Sequence, residues 1–195
     1  MIVWINGAFG AGKTQAAYEL QRRLQNAYVY DPENVGFFLR KNLPAGLCTE
    51  DFQDYPMWRT FNLEMLDYIA RGFDGTVIVP MTITNPQYYE EIIEKLSQSH
   101  PVKHIILCAR RETLLKRLAS RLEGRRSWAA QQIDRCIQAF DTDITEQKLD
   151  TDDLSVEQVA AQIAAISGLP LPKDSRSRAR ARFERFVTKC RHIRG

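Results

Sequence analysis

The segment Gly7-Ala8-Phe9-Gly10-Ala11-Gly12-Lys13-Thr14 satisfies the pattern G-x-x-x-x-G-K-[ST] in full. It stands directly between the apolar run Ile2-Val3-Trp4-Ile5 and the helix-like Gln15-Ala16-Ala17-Tyr18-Glu19-Leu20. In that setting a strand must deliver the chain into a tight turn, and a helix must carry it away. Glycines let the backbone turn and aim its N–H groups inward, and the helix adds the positive end of its dipole. The expected ligand is therefore a chain of phosphates. Gly7, Ala8, Phe9, Gly10, Ala11 and Gly12, continuing into Gln15, are expected to wrap the phosphates of a nucleoside triphosphate. Lys13 is expected to reach the β and γ phosphates, and Thr14 to offer a hydroxyl to Mg²⁺.

At 195 residues the chain reads as one domain with enough length to bury a core. Cys48, Cys108, Cys136 and Cys190 are far apart and lack neighbouring histidines at metal spacing, which argues against a structural zinc site. The start, Met1-Ile2-Val3-Trp4, has no basic leader, so no signal peptide is expected. No apolar run has the length of a bilayer span. These features together favour a reduced, cytoplasmic setting. Charge is unevenly spread, with nine Lys or Arg against two acidic residues in 173–195 and eighteen against twenty-two before it. The body is acidic and the tail strongly basic.

Short β-branched runs alternate with helical patterns. Strands are expected at 2–6, 27–30, 76–80, 104–109 and, more weakly, 148–150. Such alternation predicts an α/β fold, a parallel five-stranded sheet flanked by helices. Pro56 to Gly72 reads as a helix with Phe61, Met65 and Ile69 on its core face. Ser155-Val156-Glu157-Gln158 is a capping box opening a helix to about Ser167, and Gly168 ends it. Leu169-Pro170-Leu171-Pro172 separates a domain, 1–172, from a basic C-terminal helix within 173–195.

Ligands of parallel sheets gather beyond the carboxyl ends of the strands. After the second strand comes Asp31, before Pro32, where a carboxylate could take a proton from an attacking hydroxyl or simply cap the next helix. The third strand ends Val79-Pro80-Met81-Thr82 without the metal-binding Asp of many nucleotide hydrolases. Thr82 or Thr84 could substitute through water, or satisfy turn backbone. After the fourth strand, Arg117, Arg121 and Arg125 recur every four residues and form one positive stripe, anchored by Leu114, Leu118 and Leu122. Arg117 and Arg121 are the expected phosphate clamps of a lid, with a solvated helix face as the alternative. For an acceptor, the expected wall is Phe37, Phe38, Arg40, Phe52, Tyr55 and Trp58, with Arg135 as a further contact and with core packing as the alternative for each member of the wall.

The chain resembles the P-loop kinases of nucleoside monophosphate kinase type and, more closely, the tunicamycin-resistance ATP-binding protein family. The resemblance runs through Ile5-Asn6-Gly7-Ala8-Phe9-Gly10, Tyr28-Val29-Tyr30-Asp31-Pro32-Glu33, Asp51-Phe52-Gln53-Asp54-Tyr55-Pro56-Met57-Trp58-Arg59, Val79-Pro80-Met81-Thr82-Ile83, Glu112-Thr113-Leu114-Leu115-Lys116-Arg117-Leu118 and Ser127-Trp128-Ala129-Ala130. It implies ATP binding, protection against a nucleoside-containing inhibitor of membrane sugar-phosphate transfer, and association with the membrane face. By resemblance to the kinases, Arg117 belongs near adenine and Arg121 near the phosphates; their broader lid insertion has no counterpart here.

Two functions stay open on these grounds. One is a kinase in which Lys13, Arg117 and Arg121 stabilise the transferred group and Asp31 orients the nucleophile. The other is an ATP-gated protein that binds and sequesters a tunicamycin-like nucleoside. In the tail, Phe183, Phe186, Val187, Cys190 and Ile193 fall at helical spacing among Arg182, Arg185, Lys189 and Arg191. That pattern suits either an anionic membrane surface or docking on the domain. It includes no recognition fold for nucleic acid, which argues against that partner.

Overall fold

Three nearly continuous apolar runs form the centre of the molecule. β1 (Ile2–Gly7) and β3 (Thr76–Pro80) are buried along their whole length, and β4 (Val102–Cys108) is buried through Ile105, Ile106 and Leu107. Runs without polar alternation mean that both faces of the sheet are covered, as crossover helices require. The edge strands β2 (Ala27–Val29) and β5 (Lys148–Asp150) are short and carry exposed Tyr28, Lys148 and Asp150. Pairing is parallel throughout, in the order β2-β3-β1-β4-β5. The structure is a computed structural model, which describes residues 1–120 and 127–191.

The helices are α1 (Lys13–Arg23), α2 (Glu33–Asn42), α3 (Pro56–Gly72), α4 (Pro86–Tyr89), α5 (Lys95–Ser99), α6 (Arg111–Ala119), α7 (Trp128–Gln131), α8 (Ile133–Thr142), α9 (Val156–Ile166) and α10 (Arg178–Arg191). A π-helical stretch, Glu90–Glu94, joins α4 to α5. Local chemistry sets several starts. Pro56 occupies the first turn of α3, the Asn85 side chain accepts from the Gln87 amide before α4, and Ser155 with Gln158 forms a reciprocal capping box on α9. Gly168, at φ 69°, takes the left-handed turn that ends α9.

The expected α/β architecture and all five strands are present, with β4 beginning two residues earlier than expected. Of the expected core face of α3, Met65 and Ile69 pack partly buried against the core, and Phe61 does not. The buried positions of the helix are Trp58, Arg59, Asn62 and Leu66, whereas Phe61 is half exposed. Asn62 turns inward because it has partners there: its carbonyl oxygen accepts from the Tyr30 hydroxyl at 2.8 Å and its amide donates to the Trp58 carbonyl at 2.7 Å. A satisfied amide can be buried where an unpartnered one could not.

One buried polar bracket fixes the end of β1 against its neighbours. The Asn6 side-chain oxygen accepts from the amides of Gly7 at 2.8 Å and Ile83 at 2.9 Å, and its nitrogen donates to the Ile83 carbonyl at 2.9 Å. His104 lies 3.1 Å from the same Asn6 nitrogen and 3.0 Å from a carboxylate oxygen of Glu146. The strand order reverses at β1, since its own crossover leads to β2 while β4 and β5 lie on its other side. The bracket thus anchors the phosphate loop at the switch point, where such sheets hold ligands.

Candidate active site

Gly7 closes β1, residues 8–12 form the turn, and Lys13 opens α1. The loop is tight for specific reasons. Gly10 has φ 84°, and a Cβ there would stand 2.8 Å from the Leu114 carbonyl of α6, so side chains are excluded by both conformation and space. Gly12 has φ 98° with open space around it, so only its conformation demands glycine. Gly12 is also the N-cap of α1 and offers no side-chain cap, which leaves the first-turn amides of α1 to a ligand.

The Lys13 ammonium donates to the carbonyls of Gly7 at 2.8 Å and Ala8 at 3.0 Å and lies 5.5 Å from the centroid of the Phe9 ring. The charge is thereby held over the loop. Phe9 in turn meets Trp128 edge-on at 5.2 Å. Beneath the loop, the Phe9 amide donates to the buried Cys136 thiol; burial pushes that thiol's pKa up, and the nearby Lys13 charge opposes the shift. Thr82, at the end of β3, donates its hydroxyl to the Gly7 carbonyl at 2.8 Å. Of its two sequence-stated roles, the observed one is satisfying turn backbone.

Arg117 projects from α6 to the other side of the loop. Its guanidinium donates to the Thr151 carbonyl at 2.6 Å, the Thr151 hydroxyl at 3.0 Å and the Ala11 carbonyl at 3.5 Å. Thr151 is itself tied to the Cys108 carbonyl through its amide and hydroxyl. A cavity of about 530 Å³ opens here, bounded by Gly10, Ala11, Gly12, Arg117, Thr151 and Val159, with Gln15, Arg182, Arg185 and Phe186 on a further side. It runs from the loop toward the start of α9, so its two ends differ. Gly10, Ala11, Gly12 and Arg117 line it beside the loop, and Leu154, Val156 and Val159 beside α9.

Asp31 follows β2, and its carboxylate accepts from the Glu33 amide at 3.1 Å at the start of α2. The residue thus has the capping contact expected of one of its two roles, at the strand end that the other requires. Of the expected acceptor wall, Phe37 and Phe52 meet edge-on at 6.2 Å, and Arg40 lies over the Phe52 ring while donating to the Glu50 carbonyl. Tyr55 is buried, its hydroxyl accepting from the Thr49 amide at 2.7 Å.

Trp58 takes the core alternative of its two readings. It is fully buried, donates its indole N–H to the Pro32 carbonyl at 3.0 Å and packs on Phe52, so it belongs to the core and not to a ligand wall. Arg135, from α8, lies 3.6 Å from Asp51, which caps the turn before α3; burial pushes the Asp51 carboxyl up. Arg121 and Arg125 lie outside the described residues, as do Arg126 and Ile193.

Three contributors were not singled out as site residues from sequence. Asn6, Cys136 and Thr151 lie beneath or beside the loop, and the role of each depends on what the fold sets against it. For Asn6 a signal existed: a polar residue ending an otherwise apolar strand directly before the loop.

Residues 2–142 match the AAA domain family, and that stretch holds the phosphate loop, Asp31 and Arg117. The chain belongs to this family. Among solved structures it is similar to the tunicamycin resistance protein of Deinococcus radiodurans, with 34% identity over 89% of this chain and 98% of that one at a TM-score of 0.76. It shares its fold with a sugar kinase from Janibacter sp. (17% identity, 86% and 94% of the two chains, TM-score 0.60). A shikimate kinase from Bacteroides thetaiotaomicron has the same fold (19% identity, 87% and 99%, TM-score 0.58). No curated protein matches the sequence. The family's P-loop, kinase-like architecture accounts for the strand order, the loop and the flanking cavity together.

Proposed function

We propose that the chain is an ATP-dependent phosphotransferase that moves the γ-phosphoryl group to a hydroxyl of a tunicamycin-like nucleoside and so confers resistance to it. The observation carrying this reading is the phosphate loop opening into a two-ended cavity beside Arg117, at the carboxyl edge of the sheet where Asp31 also stands. The 34% identity to a tunicamycin resistance protein supports the substrate class, and the kinase folds of the more distant structures support the reaction class.

In this reaction the bond between the γ-phosphorus and the bridging oxygen of ADP breaks as the acceptor oxygen bonds to phosphorus. Asp31 takes the acceptor's proton, while Lys13, the loop amides and Arg117, with Arg121, stabilise the charge on the transferred group. The residues present suit Mg²⁺ carried on the nucleotide: among the described residues no cluster of three His, Cys, Asp or Glu could hold a metal by itself, and Thr14 adds one hydroxyl beside the phosphates. Bound there, the ion would supply charge neutralisation of the triphosphate. Phe37, Arg40, Tyr55 and Arg135 are the proposed acceptor contacts, Tyr55 and Arg135 through the turn around Asp51.

We place the protein in the cytoplasm, in peripheral contact with the inner membrane face. No helix among the described residues is long and apolar enough to cross a membrane. The exposed Phe183, beside the basic residues of α10, supports a surface contact with anionic lipid. β3 is followed by Met81 and Thr82 in place of a metal-binding Asp, which disfavours a nucleotide hydrolase and leaves a second reading beside the kinase, an ATP-gated binder that holds the drug unmodified. Incubation with Mg·ATP and tunicamycin, followed by mass measurement of the drug, separates the two. A gain of one phosphate is expected; unmodified drug bound in an ATP-dependent manner would replace the kinase by the binder.

A further inference from the structure

The structure assigns α10 a role in the nucleotide site: we propose that it is the outer wall of the cavity, against which the nucleoside part of the nucleotide rests, so that nucleotide binding and docking of this helix are linked. The inference rests on the nucleotide reading above. Gln15, Glu19 and Arg22 lie four and three residues apart on α1 and so share one face of the helix that leaves the phosphate loop. All three hold the C-terminal segment. The Gln15 amide donates to the Arg185 carbonyl at 3.3 Å, and Arg22 donates to the Glu184 carbonyl and the Thr188 hydroxyl. The fully buried Glu19 pairs with Arg176, just before α10, and with Arg22 at 3.4 Å. Arg185 also pairs with Glu157, in the first turn of α9.

The helix thus spans from α1 to α9 and meets the cavity along Arg182, Arg185 and Phe186. Of the two uses open to its apolar side, docking on the domain is not the one observed: the face against the domain carries Ala181, Glu184, Arg185 and Thr188, while Phe183 and Phe186 are 66% and 61% exposed. Arg176, through its pair with buried Glu19, is the firm anchor. α10 itself is held by partly exposed polar contacts, each weak. A helix held in this way is one whose docking a ligand on its inner side can shift.

A separate observation points into the same junction. The Gln15 side-chain oxygen is buried without a hydrogen-bond partner among the described residues, at the edge of the cavity where the loop, α1 and Arg185 meet. A ligand amino group would satisfy it. Arg182 and Arg185 add positive charge for an anionic ligand, and Phe186 offers a ring face to a flat base, a contact that Arg117 cannot supply alone.

The test compares the full chain with Phe186→Ala and with Phe183→Ala, an equally exposed neighbour that does not line the cavity. ATP and inorganic tripolyphosphate are titrated into each. Phe186→Ala is expected to bind ATP about tenfold more weakly, as loss of one base–aromatic contact implies. Tripolyphosphate affinity is expected to be the same in all three proteins, and Phe183→Ala to bind ATP like the unaltered chain. By reciprocity of linkage, saturating ATP is also expected to slow amide exchange in α10 more than tripolyphosphate does. Unchanged ATP affinity in Phe186→Ala, an equal loss in Phe183→Ala, or equal protection of α10 by the two ligands would overturn the proposal. An unaltered chain that binds neither ligand would overturn the nucleotide reading itself.

Discussion

Arg117 donates to both the carbonyl and the hydroxyl of Thr151, at 2.6 and 3.0 Å, and through this pair α6 is fastened to the segment that follows β5. The same guanidinium reaches the Ala11 carbonyl in the phosphate loop. A single cation therefore holds together the two sides of the cavity and supplies it with positive charge. Arg117→Glu is expected to lower ATP affinity steeply, through repulsion of phosphate and through loss of the Thr151 anchor. Thr151→Val removes the hydroxyl contact and retains the positive charge, so titration calorimetry on both variants should show a large loss for the first and a loss of less than about tenfold for the second. Equal affinity in Arg117→Glu and the unaltered chain would return this side chain to a purely structural role.

Asp31→Asn separates the two roles of its position. Asn caps helices well, so the melting temperature should move by the equivalent of less than about 1 kcal/mol. Phosphoryl transfer should fall by about two orders of magnitude or more with ATP affinity retained, as expected for loss of a general base. Full turnover in this variant would remove Asp31 from the chemistry.

The phosphate loop, the parallel sheet and the helix from Pro56 to Gly72 are legible in sequence because each depends on local chemistry: glycines at positive φ, unbroken apolar runs, Pro at a first turn. The misplaced residues depend on distant partners. Trp58 reads as ligand wall or core until the Pro32 carbonyl and Phe52 are set against it, and α10 reads as apolar on its docking side until Glu157 attracts Arg185 and Arg22 takes the Glu184 carbonyl and the Thr188 hydroxyl. Asn6 and Cys136 become parts of the site only when β3 and α8 are brought to the loop.

Arg176→Ala is expected to be among the more destabilising changes at a charged residue. Among the described residues it leaves the fully buried Glu19 paired with Arg22, at 3.4 Å, and it frees the start of the C-terminal segment. Breaking a buried pair from one side costs about 3 kcal/mol or more; the remaining Arg22 contact should hold this loss to about 2–3 kcal/mol in urea unfolding. A loss below about 0.5 kcal/mol would mean that water or Arg22 alone satisfies Glu19.

The acid limb of stability is expected to depend on Glu146. Its hydrogen bond from His104 leads the contacts that lower its pKa from 4.5 to about 2, against an opposing contribution from burial. A depressed carboxyl contributes stability that is present in full above the unfolded value and lost as pH falls from about 4.5 through about 2. Glu146→Gln should flatten the pH dependence of stability across that window and leave its shape above pH 5 unchanged. Superimposable acid limbs for the two proteins would show that the His104 contact does not shift the group.

The most direct test of the nucleotide site is ATP titration of the unaltered chain and of Lys13→Ala, with melting temperature followed on both. The Lys13 ammonium sits over the loop on the carbonyls of Gly7 and Ala8, outside the buried core. Its removal should therefore leave the fold intact while ATP binding weakens by roughly a hundredfold, on the order of 3 kcal/mol. A folded Lys13→Ala that binds ATP with the affinity of the unaltered chain would contradict the assignment of this loop.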